Sequence, residues 1–253
     1  MSTKGADPIP KASAGQARKG VGRRSESAEN YLLSLRILQE DGIAPHISQL
    51  AEFLRHIPAE EGIGTTLASV SGMVHRMSTE GLISVNSEKR ILLTDEGQLL
   101  AHDVVRRHRL SERLLVNILD VPLERAETEA HRLEHSISPD LLRRIEAKLD
   151  YPETCPYGRS IEREDEIGPR PEPPEVMPLS DATSGADYTV VRIPDEAYPL
   201  LRYLVENKVL PGQRVRIAEI APYRGVVDLE RDGEGVSISI EVASRIRVRP
   251  ADS

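Results

Sequence analysis

The sequence predicts a mainly α chain with a small β domain: an N-terminal winged helix-turn-helix, a helical dimerisation domain and a C-terminal SH3-like β-barrel. Three observations carry this. From Glu29 to Leu149 apolar residues recur at helical spacing, broken once by two short runs around a polar turn. Seven prolines crowd the acidic stretch from Tyr151 to Pro178. Beyond it, five short runs alternate apolar and polar residues between turn dipeptides such as Pro211-Gly212 and Asp232-Gly233.

Residues 1–27 mix Gly, Ser, Ala, Lys and Pro without apolar period and read as a disordered basic leader carrying Lys4, Lys11, Arg18, Lys19, Arg23 and Arg24. Residues 28–94 read as the winged helix-turn-helix. A first helix carries Tyr31, Leu32, Leu35, Ile37 and Leu38 and stops near Gly42; a second follows from Ile47 to Leu54. The recognition helix runs from Leu67 to Met77 with Val70, Val74 and Met77 turned inward. Ser69, Gly72, His75 and Arg76, with Thr66 and Ser71 beside them, then face a DNA groove, and Lys89 and Arg90 at the tip of a hairpin wing are placed to meet phosphates. The alternative is a small helical domain with no DNA role. Arg55 to Leu67 is longer than the tight turn usual in this motif, and is expected either to contact DNA backbone or to bulge from the surface.

Residues 95–151 read as three helices. Thr94 is a good N-cap for the first, which extends to about Leu119; the second follows Val121-Pro122 and ends at His135; Ser138 and Pro139 start the third. On the second helix Glu127, His131, Glu134 and His135 fall at i, i+4, i+7 and i+8, on one face. His108 and Glu112 form another i, i+4 pair on the helix before it. Two adjacent helices thus supply imidazole and carboxylate ligands for a divalent ion. Two other readings stand beside this one: a structural, ion-paired His/Glu face, and a metallohydrolase with an open coordination position and a general base. No nucleophile motif, phosphate-binding glycine loop or cofactor fingerprint supports the enzyme. Leu141, Leu142, Ile145 and Leu149 stripe the third helix, which predicts a homodimer. Residues 152–178 read as a Pro-rich acidic linker and residues 179–250 as the SH3-like domain.

A chain of 253 residues suits two or three domains. Its net charge of -8 argues against a uniformly basic nucleic-acid coat, although local basic patches still bind DNA. Cys155 is the only cysteine, so an intramolecular disulfide framework and a multi-thiolate zinc ribbon are excluded and a metal must be held mainly by nitrogen and oxygen. Such donors suit Mn2+, Fe2+, Co2+ or Zn2+. No apolar run reaches membrane-spanning length and the start lacks a secretory apolar core, so a cytoplasmic protein without membrane partners is expected.

The order of these parts, with Val105-Arg106-Arg107-His108-Arg109-Leu110-Ser111-Glu112-Arg113-Leu114-Leu115 followed by Glu129-Ala130-His131-Arg132-Leu133-Glu134-His135-Ser136-Ile137-Ser138, resembles the diphtheria-toxin-repressor family of metal-dependent transcriptional regulators. Asp120-Val121-Pro122, Thr154-Cys155-Pro156-Tyr157-Gly158 and Leu210-Pro211-Gly212 also look like that family's turns, and the resemblance covers about Glu29 to Val248. It implies a homodimeric repressor, not an enzyme, that senses Mn(II) or Fe(II), binds palindromic double-stranded operator DNA and controls metal-homeostasis genes. Carried over by residue, it implies a primary metal site of His131, Glu134 and His135 and an ancillary one of His108, Glu112 and Glu127. The chain departs from the pattern at His131, where relatives place Cys or a carboxylate. An imidazole does not bridge two metals as a carboxylate does, so two separate sites are expected. Asn30 stands where relatives have Met or Asp, and either donates its carbonyl oxygen or serves as a cap or solvent-facing residue; Leu33 replaces a second carboxylate. Asp195 and Glu196 are nearby acids of the C-terminal domain, expected to be exposed.

Overall fold

The Ser25 side chain accepts from Ala28 N at 3.4 Å, which starts helix α1 (Glu26–Glu40) a little inside the expected leader. Glu26 and Glu29 in its first turn suit the positive end of the helix dipole. The structure is a computed structural model and describes residues 24–57, 59–163, 166, 168–195, 198–231 and 233–251; the rest of the leader, Glu196 and Asp232 lie outside the described residues.

After α1 come α2 (Ile47–Phe53), two short 3-10 turns (Leu54–His56 and Ala59–Glu61), α3 (Leu67–Thr79) and a hairpin of β1 (Ile83–Val85) and β2 (Ile91–Leu93). Val85 stands opposite Ile91 in the hairpin register. Tyr31, Leu35, Leu50, Val70, Val74, Met77, Leu82 and Ile91 close one core beneath them. This is the winged helix-turn-helix, with α3 packed by the three apolar residues its sequence assigns inward.

Thr94 then accepts from Gly97 N and starts α4 (Asp95–Asn117), followed by α5 (Leu123–Glu134) and α6 (Pro139–Lys148). From Val104 to Glu112, α4 is buried at every residue, and α1 is buried from Ala28 to Leu38. These two helices are therefore the central layer, and polar side chains along them meet protein rather than water. The C-terminal part is a six-stranded antiparallel SH3-like sheet, ordered β3 (Met177–Pro178), β8 (Arg247–Pro250), β4 (Asp187–Arg192), β5 (Arg214–Ala221), β6 (Val226–Arg231) and β7 (Glu234–Ser239). Helices α7 (Tyr198–Glu206) and α8 (Ile240–Ala243) interrupt its strands, and α7 packs against α5.

Two expectations change here. Leu142 and Ile145 are buried within their own chain, in one core with Leu110, Tyr157, Ile193 and the sheet, so only Leu141 of the stripe is exposed and the stripe gives no reason for a dimer. The start of the presumed linker is also packed: Cys155, Tyr157 and Ile161 are buried. Gly158 makes this packing possible, because it holds φ +92 and any Cβ there would lie 1.9 Å from Val191 O on β4. Apolar surface buried by Tyr157, Leu110 and Ile193 outweighs the solvating tendency of the prolines and acids around it.

A buried seam of charge joins the layers. Arg36 of α1 is fully buried and pairs with Glu162 and Glu40; Arg109 of α4 donates to Glu40 at 2.5 Å and to Ser160 O at 2.7 Å. Arg159 donates to Asp195 at 2.9 Å and lies 3.3 Å from Asp41. The segment after Tyr151 is thereby tied to the DNA-binding domain and to the sheet at once.

Candidate metal centre

The helical register of α4 and α5 brings His108, His131 and Glu134 together, with one donor atom from each within 4.8 Å of the others. All three are almost fully buried, and the two imidazole rings stand 4.7 Å apart. His108 lies between carboxylates, with Nε2 2.9 Å from Glu112 Oε1 and Nδ1 donating to Glu134 Oε2 at 2.6 Å. His131 Nε2 is 2.9 Å from Glu127 Oε1 and its Nδ1 is 3.7 Å from Glu134 Oε1. His135, the C-cap of α5, places Nε2 3.4 Å from Glu134 Oε1 and Nδ1 2.8 Å from Glu29 Oε2 on α1. Glu134 is thus the common centre. The two triads named from the sequence touch each other, through His108 to Glu134 and through His131 to Glu127.

Burial alone would lower the imidazole pKa of His108, but Glu112 and Glu134 outweigh it and hold it well above the ordinary range. Burial works the same way against Glu127 and Glu134 at His131, and the carboxylates again win, raising it to about 9. Glu134 is pushed up by burial and down further by His108 and His131, so it stays ionised. Near neutral pH both rings therefore keep a proton that a metal would have to displace. A group raised from about 6.5 to about 9 stabilises the metal-free fold fully below its unfolded value and loses that contribution as pH climbs through about 9. Metal ligation needs the neutral imidazole. Mn(II) affinity is accordingly expected to rise with pH from 6.5 to 9, by about tenfold per unit for each proton displaced. Chelator-competition titrations at three pH values in that window check it, and a flat profile would contradict the arrangement.

Several buried atoms fit a metal rather than a closed hydrogen-bond network. Among the described residues His131 Nδ1, Glu112 Oε2 and Asp195 Oδ1 have no hydrogen-bond partner. An orphaned buried polar atom costs on the order of 1–3 kcal/mol, so a set of them around two imidazoles is what a cation would satisfy. Asp195 is buried rather than exposed as expected, because Arg159 neutralises one oxygen, and it lines the same cavity as His108 and His131. Cys155 is not a competing donor: burial and the nearby Glu112 push its thiol pKa well up. Glu29 was missed by the sequence reading. Its place one residue before Asn30 was the available signal.

The DNA-facing residues are arranged less uniformly. Ser69, Ser71, Gly72, His75 and Arg76 are all exposed on α3, and Thr66 caps it by accepting from Ser69 N. Ser69, Gly72 and Arg76 border a cleft shared with Ile63 and Gly64, whereas Ser71 and His75 stand outside its lining. At the wing tip Lys89 is exposed, but Arg90 donates to Ala44 O at 3.0 Å and is tied to its own domain. In the insertion Ile57 is buried and, with His56, lines the cavity at His108 and His131, whereas Arg55, Ala59, Gly62, Gly64 and Thr66 are exposed.

A buried imidazole and carboxylate cluster under a winged helix-turn-helix defines a class, metal-centred DNA-binding proteins, and comparison with known proteins narrows it. Residues 94–163 match the family described as iron dependent repressor, metal binding and dimerisation domain, and residues 177–250 match the FeoA domain. The chain is 33% identical over 232 residues to the iron-dependent repressor IdeR of Mycobacterium tuberculosis, covering 88% of this chain and 96% of that one. It is 30% identical over 231 residues to the diphtheria toxin repressor of Corynebacterium diphtheriae, with 88% and 96% covered. A solved structure of a manganese-dependent transcriptional repressor in complex with manganese superposes with a TM-score of 0.73 at 28% identity, covering 88% of this chain and all of that one. The chain belongs to the diphtheria-toxin-repressor family of metal-dependent repressors.

Proposed function

We propose that the chain is a cytoplasmic transcriptional repressor that binds Mn(II) or Fe(II) at the α4/α5 cluster and, so loaded, binds palindromic operators of metal-homeostasis genes as a homodimer. The observation that carries this is the buried His108, His131 and Glu134 set, placed against the first helix of the DNA-binding domain. When bound, the ion supplies a charge that replaces the two protons now held between the rings and carboxylates. Around it, Glu112 and Glu127 orient the ring nitrogens, and Arg107 holds Glu29 at 3.0 Å so that His135 keeps one orientation. The nitrogen and carboxylate donors suit Mn(II) and Fe(II), and accept Co(II) or Zn(II) in vitro.

The test is fluorescence anisotropy on a duplex recovered by selection from a randomised pool in the presence of Mn(II), then titrated with Mn(II), Fe(II), Co(II) and Zn(II) separately against a chelator. Mn(II) or Fe(II) is expected to tighten binding at least about 10-fold, within the coupling range of known allosteric pairs. Binding that ignores every metal would end the proposal.

Dimerisation is assigned to the end of α4, where Ile118 and Leu119 are exposed together, 42% and 57% respectively, beside the partly buried Val116, Val121 and Leu133. Leu119→Asp is expected to raise the dimer dissociation constant at least about 10-fold by burying a charge, read by light scattering. Lys89 is assigned to phosphate. Lys89→Ala should weaken binding to all sequences alike and reduce the log-log salt slope by about one. Arg90→Ala should instead loosen the wing.

A further inference from the structure

The 3-10 turn Ala59–Glu61 lies in the insertion that the helix-turn-helix motif does not require, yet its Glu61 side chain is only 11% exposed. Glu61 Oε2 stands 3.8 Å from His135 Nε2, the nitrogen that also lies 3.4 Å from Glu134 Oε1. The other ring nitrogen of His135 faces Glu29 at 2.8 Å. A ring nitrogen that donates to a carboxylate fixes the tautomer and leaves the opposite nitrogen as the ligand. Ligand atoms about 2.1 Å from a shared ion lie about 3 to 4 Å from each other. His135 Nε2 lies within that range of both Glu134 Oε1 and Glu61 Oε2, and the three atoms are of the nitrogen and carboxylate kinds that a divalent ion takes.

The insertion also touches the recognition helix. Gly64 approaches α3 so closely that a Cβ would lie 2.7 Å from Ser69 Cβ, and Ile63 and Gly64 share a cleft with Ser69, Gly72 and Arg76. Two residues on, Thr66 is the N-cap of α3 and its hydroxyl is 2.8 Å from that of Ser69. Five residues thus separate a side chain at the metal cluster from the first turn of the DNA-reading helix. At the other end of the same insertion, His56 and Ile57 cover the cavity above His108 and His131.

We infer that Glu61 is an additional ligand for a divalent ion held at His135 and Glu134, and that the insertion is a strap passing metal occupancy directly to α3. This rests on the metal-centre reading above. Metal bound at His135 draws Glu61 in, which fixes Ile63 and Gly64 against Ser69 and sets the position of the helix. Without metal, two carboxylates and an imidazole at these distances hold the strap less firmly.

The test combines Mn(II) calorimetry with hydrogen exchange of residues 55–66 on the full chain. In the wild type, Mn(II) is expected to slow exchange across the strap. Glu61→Ala is expected to weaken Mn(II) binding about 10- to 100-fold or to remove one equivalent, and to abolish that protection. Glu61→Gln, which keeps an oxygen but no charge, should fall between. Melting without metal shows that each variant folds, and Glu61→Gln decides the matter if Glu61→Ala does not. His131→Ala separates the two claims. If it abolishes Mn(II) binding while both Glu61 variants keep wild-type affinity, stoichiometry and strap protection, the strap inference alone is overturned. If His131→Ala also leaves Mn(II) binding unchanged, the metal-centre reading has failed and the strap falls with it.

Discussion

Glu134→Ala is expected to abolish metal-stimulated DNA binding and to weaken Mn(II) binding by on the order of 100-fold or more, since loss even of outer-shell partners costs 10- to 100-fold. No other residue has as many roles in the cluster: one oxygen accepts from His108, and the other lies within 3.7 Å of both His131 and His135. Its removal takes away the only carboxylate, among the described residues, that lies within 4 Å of His108, His131 and His135. The metal-free fold should survive, because Glu112 still faces His108 and Glu127 still faces His131, each at 2.9 Å. Calorimetric titration beside a thermal melt without metal separates the two effects. Wild-type affinity in a folded Glu134→Ala protein would remove the cluster from the account.

Arg36→Ala is expected to destabilise the fold by about 3–5 kcal/mol, the usual cost of breaking a fully buried pair by deleting one partner. The Arg36 side chain has no exposed surface, and Glu162 and Glu40, at 2% and 9%, would both lose its guanidinium. Glu40 would keep Arg109, so the loss falls mainly on Glu162 and on the segment that carries it against α1. Arg55→Ala is the control. Its pair with Glu52 is mostly exposed and should contribute no more than about 1 kcal/mol. Denaturant melts of both variants check this, and equal stability losses would show that the seam is not what joins the C-terminal domain to the helices.

The elements and the ligand face were legible because both are written in local spacing. Thr94 and Ser138 each precede a periodic run, and each caps a helix in the structure. The i, i+4 and i+7 places of Glu127, His131 and Glu134 needed only a helix to become neighbours. What could not be read was which faces meet across the chain. Leu142 and Ile145 look like an unpartnered stripe until Leu110 and Tyr157 are known to cover them. Glu29 meets His135 across 106 residues, and Asp195 meets Arg159 across 36, distances at which no periodicity carries information. Glu61 in the insertion could not be singled out for the same reason: its neighbour His135 is 74 residues further on.

The most direct test is the anomalous scattering of manganese in crystals grown with Mn(II). The account predicts a peak within about 2 Å of the His108, His131 and Glu134 donor atoms, a normal ligand distance for a first-row divalent ion. Full occupancy of that position should coincide with loss of the direct contact between His108 Nδ1 and Glu134 Oε2. Manganese found only at surface carboxylates, with that contact intact, would contradict it.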